Sequence, residues 1–229
     1  GGSGICGEIV REIARHVPCR FLLIGRTDLD PSARGKHLQT EAERTAEKAH
    51  IQRRLAEQGL TVTPRLIASE FARTERSAEV FATLDALNEL GAKALYVKAD
   101  VCDEFSLEAA LNKARESFGP ITMILHGAGQ EISHALAQKS QVEFARVHAP
   151  KTVGAYLLRW LCRNDALWKL VVLSSIAGRF GNRGQLDYSA GNAFLDLMVR
   201  TESRAGLSSV SLSWSGWAEI GMAWRNSYV

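Results

Sequence analysis

Four side chains in the second half of the chain are of types that can handle a carbonyl oxygen and its proton. Ser175 closes an apolar run, Lys169-Leu-Val-Val-Leu173 followed by Ser174, of the kind that forms a strand. Tyr188 lies thirteen residues further on, past a loop carrying Gly178, Gly181 and Gly184. It opens a segment in which Ala190, Phe194, Leu197 and Met198 recur at intervals of three and four, and that spacing predicts a helix. Asn192, four residues after the tyrosine, shares its face of the helix. A hydroxyl at a strand end and a phenol on the next helix are suited to holding one carbonyl oxygen. Lys151 sits in the long helical stretch Gln141 to Leu161, beside Pro150, which should kink or split that helix. At such a break an ammonium can point inward instead of into water.

The elements that must position these groups alternate between strand and helix. The chain opens on Gly1-Gly2-Ser3-Gly4-Ile5-Cys6-Gly7, then a helical run from Glu8 to His16. Gly2, Gly4 and Gly7 form a GxGxxG, which lets backbone N–H groups approach a pyrophosphate at a helix N-terminus. Arg20 to Gly25 follows as a strand, giving the βαβ context that the motif needs. Arg26 stands just past that strand, where an acid would hold the ribose hydroxyls of NAD. A guanidinium there suits a 2′-phosphate instead and favours NADPH, unless it is a solvated surface arginine near Asp28 and Asp30.

Residues 30–80 read as a helical insertion. Leu38 to Leu60 predicts a charged, mostly exposed helix whose thin apolar stripe is Leu38, Ala42, Ala46, Ala49 and Leu55. Thr61 to Pro64 breaks it. A second helix follows with Val80, Leu84, Leu87 and Leu90 on one face and Gly91 as its stop. Ala94 to Val101 is a strand ending in Asp100, which either hydrogen-bonds an adenine amino group while Val101 packs on the ring, or caps the helix starting near Glu104. Ile121 to Leu125 is a further strand, ending in His126-Gly127-Ala128-Gly129, whose small residues let a ribose lie against the backbone. Ser209 to Trp214 is the last strand. The alternation implies a Rossmann-like α/β fold, a doubly wound parallel sheet of order 3-2-1-4-5-6, in a single domain over residues 1–229.

Composition excludes several classes. A net charge of +3 is too small to argue for nucleic acid, and no apolar run is long enough to span a membrane. Cys6, Cys19, Cys102 and Cys162 form no CxxC pair, and the six histidines lack HxxH spacing, so reduced thiols and no metal are expected, with a cytoplasmic location.

Together these residues resemble the ketoreductase domains of polyketide and polyunsaturated fatty acid synthases, within the short-chain dehydrogenase/reductase superfamily. The resemblance rests on GGSGICG, LLIGR, ADV, HGAG, APKTVGAYLL, SSIAGRFGNRGQLDYSAGNAFLD, and the terminal LSWSGWAEIGMA, similar to the W-x-x-W segment leading to a mobile lid. It implies NADPH-dependent reduction of a β-ketoacyl thioester carried by the phosphopantetheine of an acyl carrier protein, among other synthase domains. Tyr188 then matches the proton donor, Ser175 the hydroxyl orienting the carbonyl, Lys151 the lysine on the preceding helix, and Asn192 the asparagine on the tyrosine helix. Gly2, Ser3, Gly4, Ile5, Gly7, Gly25, Arg26, Asp100, Val101, Gly127, Ala128 and Lys151 match cofactor contacts. Free-standing reductases of the superfamily carry lysine where Asn192 stands, which points to the synthase branch. A free phenol has a pKa of about 10. A lysine about 4.5 Å away, at an effective dielectric near 20, stabilises the phenolate by roughly 3–4 kcal/mol and should bring that pKa down.

Two other functions compete with this one: a non-reducing docking copy of such a domain, and a free-standing alcohol dehydrogenase. Neither stereochemical signature of the family is present, since Glu131-Ile132-Ser133 replaces Leu-Asp-Asp and Phe180 replaces the tryptophan eight before the tyrosine. By the same resemblance the chain is expected to be an excerpt truncated at both ends, lacking the first strand, and poorly stable alone.

Overall fold

The computed structural model of the chain describes residues 1–217. The chain divides into two compact units, Gly2–Lys98 and Ala99–Val229, the second also taking Gly1.

In the N-terminal unit, α1 (Gly4–His16) leads into β1 (Arg20–Gly25), then α2 (Glu41–Glu57), α3 (Pro64–Glu89) and β2 (Lys93–Lys98). β1 and β2 run parallel, from Arg20 opposite Lys93 to Gly25 opposite Lys98. Local chemistry sets the helix limits. Thr40 and Glu43 form a reciprocal capping box at the start of α2, satisfying backbone donors that the first turn leaves orphaned. Thr63 caps α3, with Pro64 in its first turn. Gly91, at φ +75°, ends it in the left-handed conformation expected of that glycine. α3 runs unbroken through residue 80, and Leu90 is exposed at its end.

The face that α2 buries differs from the expected alanine stripe. Ala42, Ala46 and Ala49 are exposed, whereas Ile51 and Leu55 are buried against Phe71 of α3, with Leu38, Val62, Leu66 and Ile67 around them. The turn above Ile51 is covered by long charged side chains. The Arg44 guanidinium lies 5.0 Å and the Lys48 ammonium 5.1 Å from the centre of the Phe71 ring. Charged residues thus supply apolar cover through their stems while their heads stay wet, which a count of apolar letters misses. The segment therefore has a small core of its own, fastened by Arg44–Glu75 and by Arg54–Glu70 at 2.9 Å.

The C-terminal unit holds α4 (Glu104–Phe118), β3 (Met123–His126), α5 (Gln141–His148), α6 (Val153–Leu161), β4 (Lys169–Ser175), α7 (Ala177–Phe180), α8 (Leu186–Arg204) and β5 (Ser208–Trp214). Its strands pair in parallel in the order β3-β4-β5. Leu170 and Val172 of β4 and Ile124 of β3 are buried, as are Leu107 and Leu111 of α4 and Leu195 and Val199 of α8. Parallel strands covered in this way, joined through helices, make the fold Rossmann-like. The described strands form two parallel sheets, one of β1 and β2 and one of β3, β4 and β5 in that order. Among the described residues no strand precedes α1.

Three local expectations change in this unit. The glycine loop after β4 contains a short helix, α7, ended by Gly181 at φ +71°. On α8, Leu197 is exposed, and the buried face is Asp187, Gly191, Asn192, Leu195 and Val199. The helix at 104 is capped by Asp103, whose Oδ1 accepts from the N–H groups of Phe105 and Ser106, so Asp100 does not cap it. The expected lid falls largely outside the described residues; before it, the rings of Trp214 and Trp217 meet edge to face at 4.8 Å.

Phe71→Ala would remove the ring that α2 closes over. We expect it to lower stability in urea unfolding by about 3 kcal/mol, within the range for deleting a buried aromatic side chain.

Candidate active site

Pro150 divides the expected long helix into α5 and α6. In the turn between them the Lys151 N–H donates to the His148 carbonyl at 3.1 Å, and the lysine side chain points inward. Lys151 is 3% exposed. Its ammonium donates to the Leu173 carbonyl of β4 at 3.2 Å and lies 5.2 Å from the centre of the Tyr188 ring. Two glycines make room for its stem. A Cβ at Gly129 would come 3.0 Å from Lys151 Cε, and one at Gly191 would come 3.1 Å from Lys151 Cβ. Neither Gly191 nor this sheath is apparent from spacing, because the three residues belong to a loop, a turn and a helix.

Ser175 ends β4, and its Oγ accepts the Ala177 N–H at 3.2 Å, while its side chain also hydrogen-bonds the Tyr188 phenol. Tyr188 stands in the first turn of α8. A close approach holds that helix to the loop: a Cβ at Gly178 would lie 2.8 Å from Asn192 Cβ and 2.9 Å from the Ala193 nitrogen. Asn192 is fully buried and donates through Nδ2 to the Tyr188 carbonyl at 2.8 Å, while its Oδ1 has no partner.

The phenol departs from expectation. Its pKa is raised, with burial the largest cause; hydrogen bonding from the Ser175 and Asn192 side chains opposes this, and the Glu131 carboxylate adds to it. Burial thus outweighs the hydrogen bonds that favour the phenolate, and the expected lowering is not seen. The resting phenol therefore keeps its proton at neutral pH.

His126, at the end of β3, is 2% exposed, and its ring donates to the carbonyl of Pro150, next to Lys151. Burial first, and then the Lys151 charge, push its pKa down to about 3. It is a neutral post beneath the lysine turn. A cavity of about 210 Å³, lined by His134, Leu136, Gly184, Leu186 and Ser189 among others, adjoins the start of α8.

The remaining predicted contacts are placed as follows. In the N-terminal unit, α1 begins after Ser3 with no side-chain cap and no acid in its first turn, and Gly4 takes φ +55°. Gly2 is buried against Leu23 and Val80, and a Cβ at Gly7 would lie 2.9 Å from Thr83 Oγ1, so α1 packs directly on α3. Ile5 is half-buried on α1. Gly25 lies against the Tyr96 hydroxyl. Arg26 is exposed and has no ion pair among the described residues, whereas Asp28 pairs with Lys98 at 3.1 Å and Asp30 caps Ser32. An uncapped helix start behind glycines and an unpaired guanidinium fit a phosphorylated dinucleotide. In the C-terminal unit, Asp100 Oδ1 accepts the Cys102 N–H at 2.9 Å, Val101 packs on Gly154, and Gly127 and Ala128 follow β3.

A family model for the KR domain matches residues 1–219. The chain belongs to the KR domain family. Domains of this family generally use NAD(P)H. It is 28% identical over 223 residues to a polyunsaturated fatty acid synthase polypeptide of Thraustochytrium sp., covering 95% of this chain and 8% of that one. It is 34% identical over 139 residues to polyketide synthase GfsA of Streptomyces halstedii, covering 61% and 2%. Among solved structures it is similar to the ketoreductase from the first module of phoslactomycin biosynthesis in Streptomyces sp. HK803, at 26% identity and TM-score 0.69, covering 96% of this chain and 41% of that one. The chain thus spans less than a tenth of the length of these synthase relatives.

His126 is prevented from binding a proton in the folded protein but binds one near its ordinary value of 6.5 when unfolded. A depressed folded pKa means that the stability it contributes is present above about pH 6.5 and is lost as pH falls towards about 3. The urea midpoint should fall across that window, and His126→Gln should flatten the dependence. An unchanged pH profile in the variant would contradict the assignment.

Proposed function

We propose that this KR domain reduces the β-keto group of an acyl chain, held as a thioester on the phosphopantetheine of an acyl carrier protein, to the β-hydroxyl with NADPH. The observation that carries this reading is the inward Lys151 ammonium over the Tyr188 ring, held in the turn between α5 and α6.

In this reading the Ser175 hydroxyl and the Tyr188 phenol both donate to the ketone oxygen. When bound, NADPH supplies the hydride that adds to the carbonyl carbon. As negative charge grows on the oxygen, the two donors stabilise it as an oxyanion hole would, and the phenol proton moves across. Lys151 then becomes the counter-charge of the phenolate. A counter-charge on that side of the ring favours the phenolate, against a burial that otherwise disfavours the ionised phenol. Asn192 contributes by holding the carbonyl of Tyr188 and so the turn that aims the ring.

The cofactor contacts assigned on the N-terminal unit are Gly2, Ser3, Gly4, Ile5 and Gly7 at the pyrophosphate, Gly25 beside the ribose, and Arg26 at the 2′-phosphate. Those assigned on the C-terminal unit are Asp100 and Val101 at the adenine, Gly127 and Ala128 at the ribose, and Lys151. The commitment of Asp28 and Asp30 to other partners supports NADPH over NADH.

Tyr188→Phe should lower kcat about 10²–10⁴-fold, the usual range for loss of a general acid, while NADPH fluorescence still reports binding. Undiminished turnover of a β-ketoacyl thioester in that variant would overturn the mechanism. Arg26→Ala should weaken NADPH about tenfold or more, as expected for losing a charge-assisted hydrogen bond, and leave NADH nearly unaffected. Equal losses for the two nucleotides would remove the 2′-phosphate assignment.

A further inference from the structure

A second lysine is more deeply enclosed than its place in an exposed loop suggests. Lys139 follows a short turn of 3-10 helix, Leu136–Gln138, in a stretch where most neighbours are exposed, yet its side chain is 1% exposed. Its ammonium meets Asp187 Oδ2 at 2.8 Å, the carbonyl of Ile132 at 2.7 Å and Glu143 Oε1 at 3.3 Å. Asp187 is wholly buried, and its other oxygen, Oδ1, accepts the backbone N–H of Tyr188 at 2.9 Å. Glu143, on α5, also takes His134 Nδ1 at 2.8 Å.

We propose that Lys139 is a positioning residue for the Tyr188 phenol, acting through the Asp187 carboxylate; this rests on the reduction proposed above. One carboxylate joins the ammonium to the residue that carries the phenol. The same ammonium grips Ile132, the neighbour of Glu131, whose charge is felt at the phenol. The loop after β3, α5 and the first turn of α8 are therefore drawn to one point a single residue from the proton donor. Asp187 is well placed for this, since an acid in the first turn of a helix is favoured by the helix dipole. Neither charge can be left alone there, because a buried ion without its partner keeps its desolvation cost. No spacing links the two residues, which lie forty-eight positions apart.

Three variants of the full chain separate positioning from support: Lys139→Met, Asp187→Asn, and the two combined, which removes both charges together. Each is compared with the parent in thermal melts, in NADPH-dependent reduction of a β-ketoacyl N-acetylcysteamine thioester, and by the ¹³C resonance of a labelled Tyr188 ring. Lys139→Met should lower kcat roughly tenfold or more with KM for the thioester changed by less than about threefold, as for a misplaced reacting group. The double variant should regain most of the melting temperature and keep the kcat loss, and the ring resonance should move in each variant. Recovery of kcat together with the melt in the double variant, or an unmoved resonance with parental kcat in a folded single variant, would overturn the proposal. A folded parent that reduces no thioester would sink the reductase reading instead. The ring resonance would then decide the clamp alone: displaced in Lys139→Met it upholds it, unmoved it refutes it.

Discussion

The C-terminal unit depends on burying one ammonium beside one phenol. Taking the Lys151 charge out of water costs several kcal/mol, and what offsets this is specific: the Leu173 carbonyl at a strand end and the π face of Tyr188, the latter worth up to about 2 kcal/mol when desolvated. Both partners exist only if the α5–α6 break, β4 and α8 are in their places. The lysine therefore reports on three elements at once, and the glycines at 129 and 191 are the space it needs.

Much of this is legible in the sequence because it is written locally. Pro150 forbids a continuous helix, so α5 and α6 separate there whatever surrounds them. Apolar runs mark β1, β3, β4 and β5 to within a residue or two, whereas β2 stops at Lys98, three residues before the expected Val101, and Gly91 ends α3 where its left-handed conformation is needed. The grouping of Ser175, Tyr188 and Asn192 is equally plain, since all three lie within one strand–loop–helix segment.

What is not legible depends on residues distant in the chain. The expected stripe of α2 holds at Leu38 and Leu55 but fails at its three alanines, because arginine and lysine stems cover Phe71 instead. A lysine nearby argues for an acidified phenol, but the balance is set by how thoroughly α8 and its neighbours exclude water, and a spacing carries no dielectric. The Lys139–Asp187 pair joins two stretches that look like a polar loop and a helix start. Asp100, which the sequence leaves as either ligand or cap, closes its own turn onto Cys102, with Asp103 doing the capping.

The backbone contact at Gly178 has an evolutionary corollary. With the alpha carbon of that loop pressed against α8, even a single methyl at this position would drive the helix outward and carry the aromatic ring with it. A sequence that acquires alanine or serine there would keep Ser175, Tyr188, Lys151 and Asn192 and yet hold the Tyr188 ring in another place.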